Sequence, residues 1–104
     1  RFCDGTASCM VFSETIHAML LTHDKFREFT PKAIADAKKS TEVLLCLSCD
    51  SPAEVDAQVA KAVAAGASTP TKAQDHGFMY QHGFFDLDGH HWEAFWMDPA
   101  VVQG

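Results

Sequence analysis

The sequence predicts an α+β fold in which a helix covers a sheet. Two observations predict it. Three strand-like segments and a connection precede a series that reads β-α-β-β-β, and the helix of that series is sharply marked at both ends. The sequence contains neither a glycine-rich nucleotide-binding loop nor an alternating βαβ series, so this fold explains the pattern better than a doubly wound one.

The first part of the chain predicts three short strands, at residues 1–3, 8–12 and 15–21. Asp4-Gly5 separates the first two and favours a tight turn, so we expect them to pair as a hairpin. The third is apolar on both faces except at His17.

The middle of the chain is less regular. Residues 24–29 predict a short helical turn that ends before Pro31, because a residue that precedes proline disfavours the helical conformation. Residues 31–40 predict an exposed connection. Residues 43–49 are rich in Val, Leu and Cys and predict a buried strand.

The helix of the second half carries the strongest local signal. It begins with Ser51-Pro52-Ala53-Glu54, a capping box with proline at the first helical position. Gly66 is placed to end it. One face is apolar at helical spacing and predicts packing across a sheet, through Val55, Val59, Ala62 and Val63.

Three strand segments follow the helix. The first is short, at residues 68–72, and the other two span residues 77–85 and 90–97. The turn sequence Asp86-Leu87-Asp88-Gly89 joins the last two into a hairpin, and Asp98-Pro99 ends the last strand.

Composition excludes several classes of function. The 104 residues carry a formal net charge of −6 from scattered acids, so nothing attracts a nucleic-acid backbone and no nucleic-acid partner is expected. Apolar runs stay well below the ~18 residues that cross a bilayer, so no membrane partner is expected either. A small molecule or another protein remains as the partner.

The four cysteines are read as reduced thiols in a cytoplasmic protein, because they lack the density of a disulfide scaffold. Cys46 and Cys49 have C-x-x-C spacing but lie in a predicted strand, where positions three apart face opposite sides. They are interpreted as packing thiols and not as metal ligands.

The most specific motif is the second hairpin. It has the sequence Phe84-Phe85-Asp86-Leu87-Asp88-Gly89-His90-His91-Trp92-Glu93. This sequence resembles the F-x-D-P-D-G-x-x-W-E hairpin that closes a module of the vicinal oxygen chelate superfamily, the glyoxalase/bleomycin resistance protein/dioxygenase family, with similarity to its lactoylglutathione lyase-like branch. Leu87 replaces the proline of the motif.

The resemblance implies curled mixed sheets built from β-α-β-β-β modules with a covering helix, and a domain organisation. The chain is expected to be one domain, 1–104, in which residues 1–22 are strands of an incomplete first module that lacks its opening strand and helix. Residues 23–41 form a connection with a short helix, and residues 42–97 form a complete second module. Because the sequence starts at Arg1 and enters strand-like sequence at once, an upstream segment is expected to be missing. An exposed sheet edge would then favour a homodimer.

The resemblance also implies where a metal would bind. Metal-using members hold a divalent ion, such as Zn, Ni, Mn or Fe, through one residue on the first and one on the last strand of each module. Glu93 matches the last-strand carboxylate of the second module. Leu44 and Leu20 fall at two further ligand positions, and the fourth lies outside the sequence, so a standard four-ligand site is not expected.

Strand alternation makes Glu93 and His91 the main candidates for chemistry. It places His91, Glu93, Phe95 and Met97 on one face of the last strand, and the two tryptophans on the other, under the helix. His91 and Glu93 are near enough to bind one ion or to act as an acid/base pair. The alternative is a buried carboxylate held by hydrogen bonds or paired with histidine.

Other candidate ligand-binding residues are His76, Tyr80, His82 and Phe95, as parts of an aromatic wall with a few polar groups. His17, on the third predicted strand, is a separate candidate for lining a ligand pocket. The alternative for the aromatic residues is ordinary core packing, and for His17 a satisfied core or rim histidine.

Three hypotheses for function remain open. The first is a non-catalytic binder that resembles bleomycin resistance proteins and holds an aromatic or cationic small molecule in a cavity between modules. The second is a lyase or dioxygenase in which Glu93 is catalytic through a divalent metal. The third is a structural module whose open edge mediates self-association.

Overall fold

The computed structural model describes residues 5–102, so the strand and turn predicted at residues 1–4 lie outside the described part of the chain. The described elements are β1 (Ala7–Val11), β2 (His17–Leu21), α1 (His23–Phe26), β3 (Leu45–Ser48), α2 (Pro52–Ala64), β4 (Gln74–Asp75), β5 (Met79–Phe85), β6 (His91–Met97) and α3 (Pro99–Val102). The chain divides into two compact units, with the boundary between Ala35 and Asp36. None of the helices within residues 5–102 has the length and apolar character needed to cross a membrane.

The first unit contains β1, β2 and α1. β1 and β2 pair antiparallel, with Val11 opposite His17 and Ala7 opposite Leu21. α1 begins after Thr22, whose side chain accepts a hydrogen bond from the Lys25 backbone N–H at 3.3 Å. The predicted strands at 8–12 and 15–21 and the helical turn at 24–29 are therefore present with shifted ends.

The second unit contains the predicted β-α-β-β-β series. Its four strands lie in the order β3-β6-β5-β4, with β3 parallel to β6 and the other neighbours antiparallel. The short strand that follows the helix lies at Gln74–Asp75 and not at residues 68–72, where only Ser68 bridges to Phe85. This mixed sheet with one covering helix confirms the predicted α+β fold class.

Helix α2 has the predicted ends. The Ser51 Oγ accepts a hydrogen bond from the Glu54 N–H at 3.1 Å, and a Glu54 carboxylate oxygen accepts one from the Asp50 N–H at 2.8 Å. The return contact thus reaches one residue further back than in the usual capping box. Gly66 has a φ of 110°, a left-handed conformation that side chains disfavour, and a Cβ there would lie 2.8 Å from a Leu87 methyl group.

The core of the second unit lies between α2 and one face of the sheet. Val55 and Val59 of the helix and Ala94 of β6 are buried, and Val55 has no exposed surface. Phe84 and Trp96 pack against them. Burial of one valine side chain stabilises the fold by roughly 1.5–3 kcal/mol. The prediction that the tryptophan-bearing face of the last strand lies under the helix is confirmed.

The first strand of this unit is less buried than predicted. Val43, Leu44 and Leu45 are 59%, 52% and 40% exposed, and the strand begins only at Leu45. The physical reason is position, because β3 is the outer strand of the sheet and α2 covers β5 and β6. The expectation of a buried strand at 43–49 was therefore wrong, since an apolar run alone does not distinguish a central strand from an edge strand.

The hairpin motif is held together by the Asp86 carboxylate. One oxygen accepts hydrogen bonds from the backbone N–H groups of Asp88 and His90, at 2.9 and 3.0 Å. The other accepts one from the Trp92 indole N–H at 2.8 Å. Gly89 takes a φ of 93° beside the backbone of Ala37, where a Cβ would lie 3.0 Å from the carbonyl carbon. Each constrained position of the motif thus has a structural role in the turn.

Candidate functional site

The candidate site lies on the face of β5 and β6 opposite α2, which we call the open face. Cross-strand pairing defines it, because paired residues of neighbouring strands point to the same side. Gly83 lies opposite Glu93, Phe85 opposite His91 and Gln81 opposite Phe95. The alternation predicted for the last strand therefore brings His91, Glu93 and Phe95 to one face.

His91 lies over Gly83. A Cβ at Gly83 would be 2.9 Å from the His91 Nε2, so the imidazole occupies the space that a side chain would need. The ring also meets Phe85 edge to face, with the centroids 4.8 Å apart. The glycine and the phenylalanine together position the imidazole beside the strand position of Glu93.

Glu93 is a partly buried carboxylate with no hydrogen bond or ion pair to any residue in the range 5–102. The two ion pairs within that range, Lys25 with Glu28 and Arg27 with Asp24, join α1 to the two residues that follow it. A carboxylate that folding has partly removed from water without a partner is available to a cationic or hydrogen-bond-donating ligand.

Cys46 lies directly beside Glu93 in the parallel pairing of β3 with β6. Cys46 is exposed, but neighbouring groups remove part of its hydration, which raises the pKa of the thiol, and the negative charge of Glu93 raises it further. The neutral thiol therefore dominates at physiological pH, which makes Cys46 a weak nucleophile.

This placement refines the sequence interpretation of β3. Cys46 and Cys49 do differ in their environments, since Cys49 packs against the helix-covered core and Cys46 is exposed beside Glu93. Leu44, which the resemblance placed at a ligand position, lies just before the strand and is 52% exposed. The residue beside Glu93 is a cysteine two positions later, and only the register of β3 on β6 reveals it.

We expect Glu93→Gln to lower the pKa of Cys46, because it removes one of the two causes that raise it. At pH 8 the thiolate fraction, and with it the rate of alkylation by iodoacetamide at Cys46, should rise a few-fold as followed by peptide mass spectrometry. Glu42→Gln is the matched control, since Glu42 is exposed and does not influence this thiol. Equal Cys46 rates in both variants would show that the loss of hydration alone raises the pKa.

A small open depression of about 100 Å³ adjoins this face within the second unit. Its lining is mainly polar and combines groups of the sheet with groups of the segment that follows α2. The lining residues are Thr71, Lys72, Gln74, Gln81, His82, Gly83, His91 and Glu93. Gln81 Nε2 donates a hydrogen bond to the Gln74 Oε1 at 3.2 Å, which joins the two sides of the depression.

The register places Tyr80 and His82 opposite Trp96 and Ala94 on the helix-covered face. Tyr80 therefore does not form a wall beside Glu93 as the sequence interpretation expected, whereas His82 lines the depression together with Glu93. The Tyr80 hydroxyl donates a hydrogen bond to the Asp56 carboxylate at 2.7 Å, and this bond raises the pKa of Tyr80.

The remaining candidate histidines have different surroundings. The His82 Nε2 lies 2.9 Å from the Thr71 carbonyl oxygen, and His82 contributes to the edge of the depression. His76 is exposed, with its ring centroid 6.3 Å from that of Phe78. His17 is exposed in the first unit, on the strand face that also carries Met19.

The donor set for a metal ion is incomplete in the described part of the chain. Residues 5–102 contain no group of three or more His, Cys, Asp or Glu side chains arranged to hold an ion. His91 and Glu93 supply two potential ligands on one face, and Leu20 and Leu44 have no ligand atoms. These residues do not fit a metal centre on their own.

The fold of this chain is that of the glyoxalase/bleomycin resistance/dioxygenase proteins. A glyoxalase-related enzyme from Fulvimarina pelagi is 18% identical, with a TM-score of 0.77, over 91% of this chain and 67% of that protein. A glyoxalase/bleomycin resistance protein/dioxygenase family enzyme from Burkholderia phytofirmans PsJN is 16% identical, with a TM-score of 0.68, over 91% and 74%.

A hypothetical protein from S. aureus, SA1046, is 21% identical, with a TM-score of 0.74, over 91% of this chain and 72% of that protein. No protein-family model and no curated protein sequence matches the chain. The resemblance stated from the hairpin motif is therefore confirmed at the level of the fold.

Proposed function

We propose that this chain is a member of the glyoxalase/bleomycin resistance/dioxygenase family that binds a small molecule on the open face of β5 and β6 without a complete four-ligand metal site. The observation that carries the proposal is the partly buried Glu93 carboxylate, which has no partner within residues 5–102 and lines a depression. The names of the proteins with the same fold support the family assignment.

In this proposal Glu93 is the counter-charge for a cationic or hydrogen-bond-donating group of the ligand. Phe85 and Phe95 lie on the same face and can contribute apolar contact, while His91, opposite Phe85, can donate or accept a hydrogen bond. Ion pairing at a partly desolvated carboxylate is stronger than at a fully exposed one, so affinity should depend on Glu93.

The test compares benzylamine with its uncharged counterpart, benzyl alcohol, in titrations followed by amide NMR signals. We expect benzylamine to shift the signals of Gly83 and its neighbours and to bind more tightly than the alcohol. Glu93→Gln should remove that difference, whereas Glu42→Gln, which changes an exposed carboxylate elsewhere, should preserve it. If Glu93→Gln left the preference for benzylamine intact, Glu93 would not be the counter-charge and the proposal would fail.

A divalent-metal-dependent lyase or dioxygenase that uses Glu93 is the second candidate, because His91 and Glu93 share one face. Elemental analysis of protein incubated with Zn, Ni, Mn or Fe and then desalted distinguishes the two. Near-stoichiometric metal that Glu93→Gln removes would support the second candidate. Protein that retains no metal while still preferring benzylamine would support the first.

We further propose that the protein is a cytoplasmic homodimer. Its cysteines are free within the described residues, which suits a reducing compartment. The outer edge of β3 carries no neighbouring strand in the described part of the chain, and Val43, Leu44 and Leu45 are exposed beside it. An open apolar edge of this kind favours pairing with a second copy.

Light scattering after size exclusion should then give the mass of a dimer. We expect Leu45→Lys to shift it toward the monomer, because a charge at the edge opposes strand pairing. Val63→Lys is the matched control, since Val63 is 47% exposed on α2, away from that edge. A monomer for the unmodified protein would contradict the proposal.

A further inference from the structure

The depression on the open face contains both signs of charge. Glu93 and Lys72 line it together, and they are the charged groups of its lining if histidine is neutral. Neither forms an ion pair with another described residue, including each other. Opposite charges that line one depression and stay unpaired leave two separate binding positions, one for a cation and one for an anion.

The side-chain amides of Gln74 and Gln81 place donors and acceptors on the same sides of the depression as Lys72 and Glu93. The Gln81 Nε2 donates a hydrogen bond to the Gln74 Oε1. The side-chain Oε1 of Gln81 and the side-chain Nε2 of Gln74 therefore remain for a ligand. The acceptors, Glu93 and the Gln81 oxygen, therefore belong to β5 and β6. The donors, Lys72 and the Gln74 nitrogen, belong to β4 and the residues just before it, at the edge of the sheet opposite β3.

The charge of the whole molecule bears on the class of ligand. With a net charge of −6, the protein repels a simple anion, and exposed Lys72 alone offers it little compensation. A simple cation would satisfy Glu93 and meet repulsion from Lys72. A molecule that carries both charges satisfies both groups at once and adds no net charge to the complex.

We infer that the ligand of this site is a small zwitterion, with its cationic group against Glu93 and its anionic group against Lys72. The inference rests on the proposed function, since it uses the same depression and the same carboxylate. It specifies the ligand class further, because the proposed function by itself requires only the contact with Glu93.

The test uses three ω-amino acids of increasing charge separation, glycine, 4-aminobutyrate and 6-aminohexanoate, with butyrate and butylamine as singly charged references. Titrations at low ionic strength are followed by amide NMR signals, because salt screens exposed charges. We expect at least one zwitterion to bind about tenfold more tightly than either reference, which corresponds to about 1.4 kcal/mol.

Variants separate the two contacts. Lys72→Met should reduce the affinity for that zwitterion to about that of butylamine and should not weaken butylamine itself. Glu93→Gln should weaken the zwitterion and butylamine together. Lys61→Met, which removes an exposed lysine from α2, should change none of these affinities.

The failures are distinguishable. If no zwitterion bound more tightly than butylamine, or if Lys72→Met left its affinity unchanged, the zwitterion inference would be overturned while binding at Glu93 stood. If amines bound no better than uncharged analogues and Glu93→Gln changed nothing, the proposed function would fall together with the inference.

Discussion

Val55→Asp is expected to unfold the second unit, with a loss of about 3–5 kcal/mol or more in the free energy of unfolding. Val55 has no exposed surface and packs with Val59 and Ala94 in the buried cluster between α2 and the sheet. A carboxylate there loses its hydration and meets no positive charge in the cluster. Since whole domains are stable by only about 5–15 kcal/mol, this loss is large enough to abolish the cooperative transition.

The matched control places the same substitution on the same helix. Val63→Asp lies two turns further along α2 at a position that is 47% exposed, so it should change stability by no more than about 0.5 kcal/mol. Circular dichroism during heating measures both variants. If Val55→Asp retained the melting temperature of Val63→Asp, the cluster would not be the core of this unit.

Asp86→Ala is expected to have the second largest effect, a loss of about 2–3 kcal/mol. The substitution leaves the backbone N–H groups of Asp88 and His90 and the indole N–H of Trp92 without their acceptor. Hydrogen bonds to a charged group contribute about 1.5–3 kcal/mol each, and water compensates part of the loss at the exposed turn. A fall of about 10–15 °C in melting temperature follows for a unit of this size.

Asp88→Ala is the control for this turn. The Asp88 side chain is exposed and forms no hydrogen bond with a described residue, so its removal should leave the melting temperature almost unchanged. Trp92→Phe, which removes the indole donor and keeps a smaller aromatic ring, should fall between the two. Equal stability of Asp86→Ala and Asp88→Ala would contradict the role assigned to the carboxylate.

The Asp86→Ala substitution bears on the candidate site as well as on stability. Glu93 follows Trp92 directly, and the turn sets the register in which Gly83 lies opposite Glu93. By loosening the turn, Asp86→Ala should therefore weaken benzylamine binding more than Asp88→Ala does, even at temperatures where both of these variants stay folded.

Several features of the protein were determined by local sequence. The ends of α2 followed from the capping residue Ser51, Pro52 and the terminal Gly66, because these act on the backbone of their immediate neighbours. The alternation that separates Glu93 from the tryptophans followed from the period of two in a strand. The order of elements and the hairpin motif were sufficient to indicate the fold.

The placement of Tyr80 is predictable from the sequence when alternation is applied to both strands of the hairpin. Once the turn at residues 86–89 pairs Phe85 with His91, antiparallel register places Tyr80 opposite Trp96, under the helix. Alternation along the last strand alone does not separate Tyr80 from Glu93.

Other features were decided only by the tertiary structure. Cys46 lies beside Glu93 because of the parallel register between β3 and β6. The connection through α2 sets that register, and no local sequence pattern encodes it. Lys72 and Gln74 line the depression because the segment after α2 passes the edge of β5. Sequence periodicity reports which side of a strand a residue faces, whereas the neighbours on that side come from elements distant in the chain, so the full composition of the site required the folded structure.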